Sequence, residues 1–159
     1  MSREPANARR LFAALVRGFV LGWLIAMTHP TAGAQDAQPP RTLDKGVQSN
    51  IDSARQAVAR TPAEWSALWK AHDVDRPPPA VDFAREMVVG VFMGSRPTAG
   101  FNVEIVGTEA REHALVVRYR ETAPGPGAVA AQILTSPFHI VALPKASPAT
   151  KVTFEAIGR

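Results

Sequence analysis

The stretch MVVGVFMGSRPTAGFNVEIVG, residues 87–107, decides the fold class of this chain. Its first seven residues, 87–93, are almost continuously apolar, as in a central strand that is buried on both faces. From residue 100 to 106 apolar and polar residues alternate, which indicates a strand with one buried face. Gly90 indicates a close approach of another segment or a bulge. The stretch therefore predicts two strands joined by a loop, residues 94–100.

This loop is not expected to bind phosphate. A Walker-type loop continues with Lys and Ser or Thr after its second glycine, whereas Phe101 and Asn102 follow Gly100. A dinucleotide-binding loop opens a helix, whereas this loop precedes an alternating strand. Glycine and proline explain a turn, but five residues between the two glycines exceed what a tight turn needs. The length leaves room for a binding loop.

The sequence predicts one helix, which starts after residue 61. Thr61-Pro62-Ala63-Glu64 has the form of a capping box with proline at the first helical position. Four residues then share one helical face at i, i+3, i+4 and i+7: Trp65, Leu68, Trp69 and His72. Packing of these aromatic rings against a sheet is favoured over a ligand platform, and the run Arg76-Pro77-Pro78-Pro79 ends the helix.

The remainder of the chain is predicted to form strands. There is no internal repeat and no alternation of strands with helices, so the fold class is mainly β (α+β): an antiparallel sheet or sandwich of six to seven strands with one helix packed across it. The segments 107–113 and 94–100 connect neighbouring strands. The predicted strands are residues 47–59, 87–93, 100–106, 114–120, 128–134, 138–143 and 152–157. The first is either one long edge strand or a strand with a bulge, and the alanines of residues 128–134 leave a helix open for that segment.

Antiparallel order would place several loops at the same end of the sheet. Residues 94–100 and 122–127 follow the first and third strands of this series, and residues 144–150 would join them if 128–134 is a strand. Loops grouped on a rigid sheet often form binding surfaces. The candidate partner-binding residues are Arg96, Pro97, Thr98, Ala99, Gly100, Pro124 and Gly125.

The first 34 residues are predicted to be a secretory signal peptide. Four arginines precede an apolar run at residues 18–27, and Ala32-Gly33-Ala34 is an A-x-A cleavage signal. The apolar run is shorter than the roughly 20 residues of a spanning helix, so no stable membrane insertion is expected after cleavage. The mature protein is expected in the periplasm or the medium. Arg9-Arg10 leaves twin-arginine export open beside ordinary secretion.

The mature part should contain a disordered linker, residues 35–45, and a single domain, residues 46–159. The whole chain has 18 basic and 14 acidic residues; residues 1–34 hold four arginines and one glutamate, which leaves 14 basic and 13 acidic residues. A protein with so little excess charge is not expected to bind nucleic acid. The absence of cysteine excludes disulfides and a cysteine nucleophile.

No metal, cofactor or catalytic site is predicted. The spacing of His72, Asp73 and Asp75 matches neither a zinc site nor an EF-hand. His139 alternates with the apolar residues on either side of it and is expected to be a half-exposed sheet residue. No serine lies in a G-x-S-x-G elbow. The protein is therefore predicted not to be an enzyme.

Three segments resemble the C-terminal domain of the PrcB family, which is named for a subunit of a bacterial surface protease complex. They are VVGVFMGSRPTAGFNVEIVG, the PGPG loop and LTSPFHIVALPK, in that order, and the upstream AEWSALWKAH helix with Asp82-Phe83 is also similar. The resemblance covers residues 47–145. Ala99 and Phe101 depart from the family pattern, which has Gly and Tyr at these places. The resemblance implies a non-catalytic exported protein that associates with or stabilises a protease.

Three functions are compatible with these observations. The first is an exported accessory domain that binds a protease or another cell-envelope protein through the loops. The second is a protease inhibitor that uses the loop at residues 94–100. The third is a small-ligand or glycan-binding module that uses Trp65 and Trp69, which requires those rings to be partly exposed.

Overall fold

The fold is built around the apolar strand predicted at residues 87–93. The computed structural model describes residues 39–158. The predicted signal peptide and the first residues of the predicted linker lie outside this range. Within it are seven strands and one helix: β1 (Arg41–Gly46), β2 (Arg55–Ala59), α1 (Pro62–His72), β3 (Glu86–Phe92), β4 (Asn102–Arg111), β5 (Ala114–Thr122), β6 (Phe138–Pro144) and β7 (Lys151–Ala156).

The strands form two sheets. The first sheet has four strands in the order β1-β6-β3-β2, and the second sheet has three in the order β4-β5-β7. All neighbours in the first sheet are antiparallel, as are β4 and β5, whereas β5 and β7 are parallel. The predicted mainly β fold with one helix is confirmed. The parallel pair differs from the expected antiparallel order. In the chain β7 follows β6, a strand of the first sheet, so β5 and β7 are not joined by a hairpin.

Strand β3 contributes to two hydrophobic cores. Met87, Val89 and Val91 pack in the core that contains residues of both sheets, whereas Val88 and Phe92 pack in the core that contains the helix. Alternate residues of a strand point to opposite faces, so burial on both sides requires the continuous apolar run seen in the sequence. A Cβ at Gly90 would lie 3.0 Å from the Phe92 ring, which explains the glycine at this position.

The first strand begins earlier than the sequence predicted. Residues 41–45, expected to belong to a disordered linker, form most of β1 and pair with β6. An edge strand with mixed polar residues has no distinctive pattern, so composition alone suggested a linker. Residues 47–54, expected to start a long strand, are irregular because the Asn50 N–H donates to the carbonyl of His72 (3.0 Å) and the Ile51 N–H donates to Ser49 Oγ (3.2 Å).

Residues 128–134 do not form the predicted strand. This segment carries no strand pairing, and only Thr135, the residue after it, makes an isolated bridge, to Arg96. Residues 144–150 consequently do not join the loop at 94–100. They lie at the opposite end of the first sheet, where the Lys145 N–H donates to the carbonyl of Arg85 (2.7 Å), beside the start of β3.

Candidate functional site

Three segments meet at one end of the domain. We call the surface formed by residues 94–100, 120–127 and 128–136 the loop end. Contact between the first two is close: a Cβ at Gly100 would lie 3.0 Å from the Pro124 ring. The structure thus brings together the two predicted loops, and it adds the segment 128–136, of which residues 128–134 were predicted to form a strand.

The backbone at Gly94 sets the direction of the loop at 94–100. Gly94 has φ +71°, and a Cβ there would lie 2.6 Å from the Ala54 nitrogen and from the Asp52 carbonyl oxygen. Only glycine adopts this conformation and this approach without strain. The neighbouring Ser95 donates its N–H to the Asp52 carbonyl (2.9 Å) and its hydroxyl to the Asp52 carboxylate (3.2 Å). The start of the loop is therefore fixed to the segment before β2.

The rest of this loop is held by the segment 128–136. Arg96 and Thr135 exchange two backbone hydrogen bonds, of 2.7 and 2.9 Å, and the Ala99 N–H donates to the carbonyl of Ala131 (2.9 Å). The Thr135 hydroxyl donates to the carbonyl of Thr98 (3.1 Å). Pro97 is exposed, whereas Thr98 and Ala99 are half-buried. The backbone of the loop is largely engaged within the domain.

A groove of about 460 Å³ lies between the first two segments of the loop end. Residues from the end of β5 and the turn after it form one wall, and Arg96 belongs to the other. The Arg96 guanidinium lies over the Phe101 ring, 5.8 Å from its centroid. The lining includes the apolar residues Met93, Phe101, Ala123, Pro124 and Pro126 and the charged residues Arg96, Arg120 and Glu121.

The segment 128–136 exposes apolar side chains at the loop end. Val129 is fully exposed, Ile133 is 54% exposed and Leu134 is 67% exposed. Val47, also exposed, is adjacent because its carbonyl accepts the Ser136 N–H (2.8 Å). Of the six exposed large apolar residues within residues 39–158, three lie on this segment, and Val47 is hydrogen-bonded to its end. This patch was not predicted, because the mainly apolar residues 128–134 were expected to form a strand.

The segment that carries the loop end matches a known family. Residues 87–144 match the family model described as PrcB C-terminal. These residues are therefore similar to the PrcB C-terminal family, and we call them the PrcB C-terminal segment. The match confirms the predicted resemblance over a shorter range than expected, from β3 to the end of β6. Comparisons with curated proteins and with solved structures gave no match.

The PrcB C-terminal segment contains all three parts of the loop end. It also contains the strands β3, β4, β5 and β6, which carry those parts, whereas β1, β2, α1 and β7 lie outside it. The family match therefore covers the groove and the exposed apolar segment together. Within residues 39–158, no helix is long and apolar enough to span a bilayer.

His139, on β6 of the PrcB C-terminal segment, is buried rather than half-exposed as predicted. It is only 4% exposed and connects the sheets: its Nδ1 accepts the Ile105 N–H of β4 (2.8 Å), and its Nε2 lies 2.9 Å from Thr42 Oγ1 of β1. Because Nδ1 accepts, the ring is neutral with its proton on Nε2. Burial, with the charge of Lys45, lowers the pKa of His139 to about 4, and Glu104 opposes this effect.

A hydrogen-bonded chain of Ser49, His72 and Asp44 lies outside the family match. His72 Nδ1 is 2.9 Å from Ser49 Oγ, and His72 Nε2 is 3.2 Å from Asp44 Oδ2. The residue types are those of a hydrolase triad, but the His72 ring is buried and Ser49 Oγ already accepts the Ile51 N–H. The Asp44 carboxylate also pairs with Arg76 (2.6 Å). We interpret the chain as a structural connection between β1 and the end of α1.

No metal site is apparent around His72. The Asp73 carboxylate pairs with Arg76, and it accepts the N–H of Asp75 (3.0 Å). Hydrogen bonding to Arg76 lowers the pKa of Asp73, as expected for a carboxylate with these donors. Within the part of the chain that the structure describes, no three His, Cys, Asp or Glu side chains are grouped as metal ligands.

The two tryptophans of α1 are buried. Trp65 and Trp69 are 4% and 3% exposed, and their rings contact each other edge-on at 5.1 Å between centroids. Their indole N–H groups donate to the carbonyls of Pro79 (3.1 Å) and Arg76 (2.7 Å). The proline-rich run after α1 thus lies against both rings. The exposed aromatic face that the ligand-binding alternative requires is not present in this structure.

Proposed function

We propose that this protein is a non-catalytic, exported binding domain that associates with a protease or another cell-envelope protein through its loop end. The exposed apolar segment at residues 129–134 carries the proposal. Grouped apolar side chains on a rigid surface mark sites of protein association. Export is inferred from the sequence of residues 1–34, and a protease is inferred from the family, whose name refers to a protease complex.

The inhibitor alternative has less support from the geometry. An inhibitory loop presents its backbone to the protease as an additional strand, which requires free N–H and carbonyl groups. Here Arg96 uses its N–H and carbonyl to pair with Thr135, and Ala99 uses its N–H to pair with Ala131. An accessory domain that binds with side chains does not need those backbone groups. We therefore favour association over inhibition.

Site-specific photo-crosslinking in the native cells tests the proposal. A photoreactive amino acid replaces Val129 at the loop end, and in a separate strain it replaces Val74, which is also exposed (70%) but lies after α1. The two sites match in residue type. We expect a defined adduct from position 129, identified by mass spectrometry as a protease or another envelope protein. No adduct at 129, or the same adducts at both positions, contradicts the proposal.

A further inference from the structure

We propose that the groove of the loop end binds an acidic segment of the partner protein. A carboxylate side chain of that segment pairs with Arg96, and a neighbouring large apolar side chain contacts Phe101 and the prolines at 124 and 126. This inference rests on the proposed function and specifies the chemistry of the partner. Three features of the groove support it.

The first feature is that Arg96 is held in place but makes no ion pair within residues 39–158. Its backbone is fixed by the two hydrogen bonds to Thr135, and its guanidinium is fixed over the Phe101 ring. Only one side-chain hydrogen bond is formed, from Nη1 to the carbonyl of Ser95 (3.2 Å). A guanidinium has five N–H donors in a fork that matches a carboxylate. Donors therefore remain for a ligand, and little side-chain entropy is lost on binding.

The second feature is the charge of the lining. Arg96 and Arg120 line the groove with one acidic residue, Glu121, and none of the three forms an ion pair among the described residues. A groove at the opposite end of the domain differs, because Arg41 there pairs with Glu86 at 2.8 Å. An excess of unpaired positive charge favours a partner segment that carries negative charge.

The third feature is the apolar part of the lining. Met93 is buried at the base of the loop, and Phe101 is half-buried. Pro124 and Pro126 belong to the facing wall, where the proline rings fix the backbone φ angles of these two residues. The volume, about 460 Å³, lies in the range of pockets that enclose small ligands. A large apolar side chain next to a carboxylate can therefore be accommodated between the two walls.

Peptide titration followed by NMR tests this inference on purified protein. The probes are acetyl-GSFEGS-amide, the same peptide with Gln in place of Glu, and the same peptide with Gly in place of Phe. With the first peptide we expect saturable shifts of the Phe101 and Gly125 amide signals. Each of the other peptides should bind at least about fivefold more weakly, since each lacks one of the two proposed contacts.

Two arginine variants test whether the peptide carboxylate pairs with Arg96. Arg96→Gln should weaken binding of the Phe-Glu peptide at least about fivefold, because it removes the charge and keeps the backbone bridge to Thr135. Arg85→Gln is the control, since Arg85 is exposed and belongs to the opposite groove. Equal binding of the Glu and Gln peptides, or wild-type affinity in Arg96→Gln, overturns the inference. Shifts of the same amides on dilution without peptide would instead identify a second copy as the occupant, which also overturns it.

The two proposals fail differently. A protease adduct at position 129 without peptide binding overturns only the acidic-segment inference. Peptide binding that depends on Glu and on Arg96, with no adduct at 129, supports the groove chemistry and contradicts the proposed association of the loop end with an envelope partner.

Discussion

His139 of β6 connects the two sheets by a hydrogen bond to β4. Its neutral ring accepts a backbone N–H from β4 and donates to Thr42 of β1. Protonation would place a donor opposite the Ile105 N–H and would put a charge in a buried site beside Lys45. The folded state therefore favours the neutral ring, and the pKa of His139 is lowered from 6.5 to about 4.

The first prediction is an acid-dependent loss of stability. The unfolded chain takes up a proton near pH 6.5, whereas the folded chain does so only near pH 4. The contribution of the neutral His139 ring to the free energy of unfolding is therefore fully present above pH 6.5. It is lost as the pH falls from 6.5 to about 4. Between pH 7 and pH 5 the free energy of unfolding should fall by roughly 2 kcal/mol. Urea unfolding at a series of pH values measures this change in the free energy of unfolding.

Two histidine variants test whether this pH dependence of stability comes from His139. His139→Gln keeps a donor and an acceptor but does not titrate, so its stability should change less between pH 7 and pH 5 than that of the wild type. His113→Gln, at an exposed position in the β4–β5 turn, should retain the wild-type dependence. An unchanged slope in His139→Gln is the result that would contradict the assignment.

The second prediction concerns Gly94 at the start of the loop end. Gly94→Ala should lower the free energy of unfolding by more than about 2 kcal/mol, because the methyl group meets backbone atoms at 2.6 Å and φ is +71°. Gly125→Ala is the control: no atom lies within 4 Å of its Cβ and its φ is not positive, so a change within about 0.5 kcal/mol is expected. Equal effects of the two substitutions would show that Gly94 does not fix the loop.

Among the elements, α1 follows the sequence signals directly. The Glu64 N–H donates to the Thr61 hydroxyl (3.2 Å), and the Glu64 carboxylate accepts the N–H groups of Thr61 (3.1 Å) and Arg60 (2.6 Å). The hydrogen bond from Arg60 is the main reason that the pKa of Glu64 is lowered. Local hydrogen bonds of this kind depend only on nearby residues, so the start of the helix could be predicted.

The third prediction tests this cap. Thr61→Ala should reduce the free energy of unfolding by about 1 kcal/mol, because one N–H at the start of the helix loses its acceptor. Ser66→Ala, within the same helix, should be neutral or slightly stabilising because alanine is the better helix former. Thermal and urea unfolding measure both. A neutral Thr61→Ala would mean that packing of the two tryptophans alone determines where α1 begins.

The strands show which elements a single sequence predicts well. Strands β3 and β6 are buried on both faces, and their continuous apolar runs predicted them correctly. Residues 128–134 are also mainly apolar, but most of their side chains lie in solvent. Periodicity records the spacing of apolar residues and not what covers them. The two errors at β1 and at 128–134 therefore have one cause: the pairing partner of a segment is set by the whole fold.

On the scale of the whole molecule, the strand order determines which predicted site residues meet. Strands β3 and β5 end at the same side of the domain, so the loop with Arg96 and the turn with Pro124 and Gly125 come together as expected. The contribution of residues 128–136 could not be predicted, because it depends on the bridge between Arg96 and Thr135, which are 39 positions apart in the chain.

The fourth prediction is that the loop end can be altered without loss of stability. Val129→Asp should leave the unfolding free energy within about 0.5 kcal/mol of the wild type, because the side chain is fully exposed. Val74→Asp, at another exposed valine, should behave in the same way. Urea unfolding of both variants checks this, and a marked destabilisation of Val129→Asp would show that the Val129 side chain packs within the domain.

The most direct test of the central claim is the affinity of these variants for the partner identified by crosslinking. With purified proteins, Val129→Asp should raise the Kd at least about tenfold, since a charge would enter the buried centre of the interface. Val74→Asp should bind as the wild type does. Equal affinity of wild type and Val129→Asp would contradict the assignment of the loop end as the binding surface.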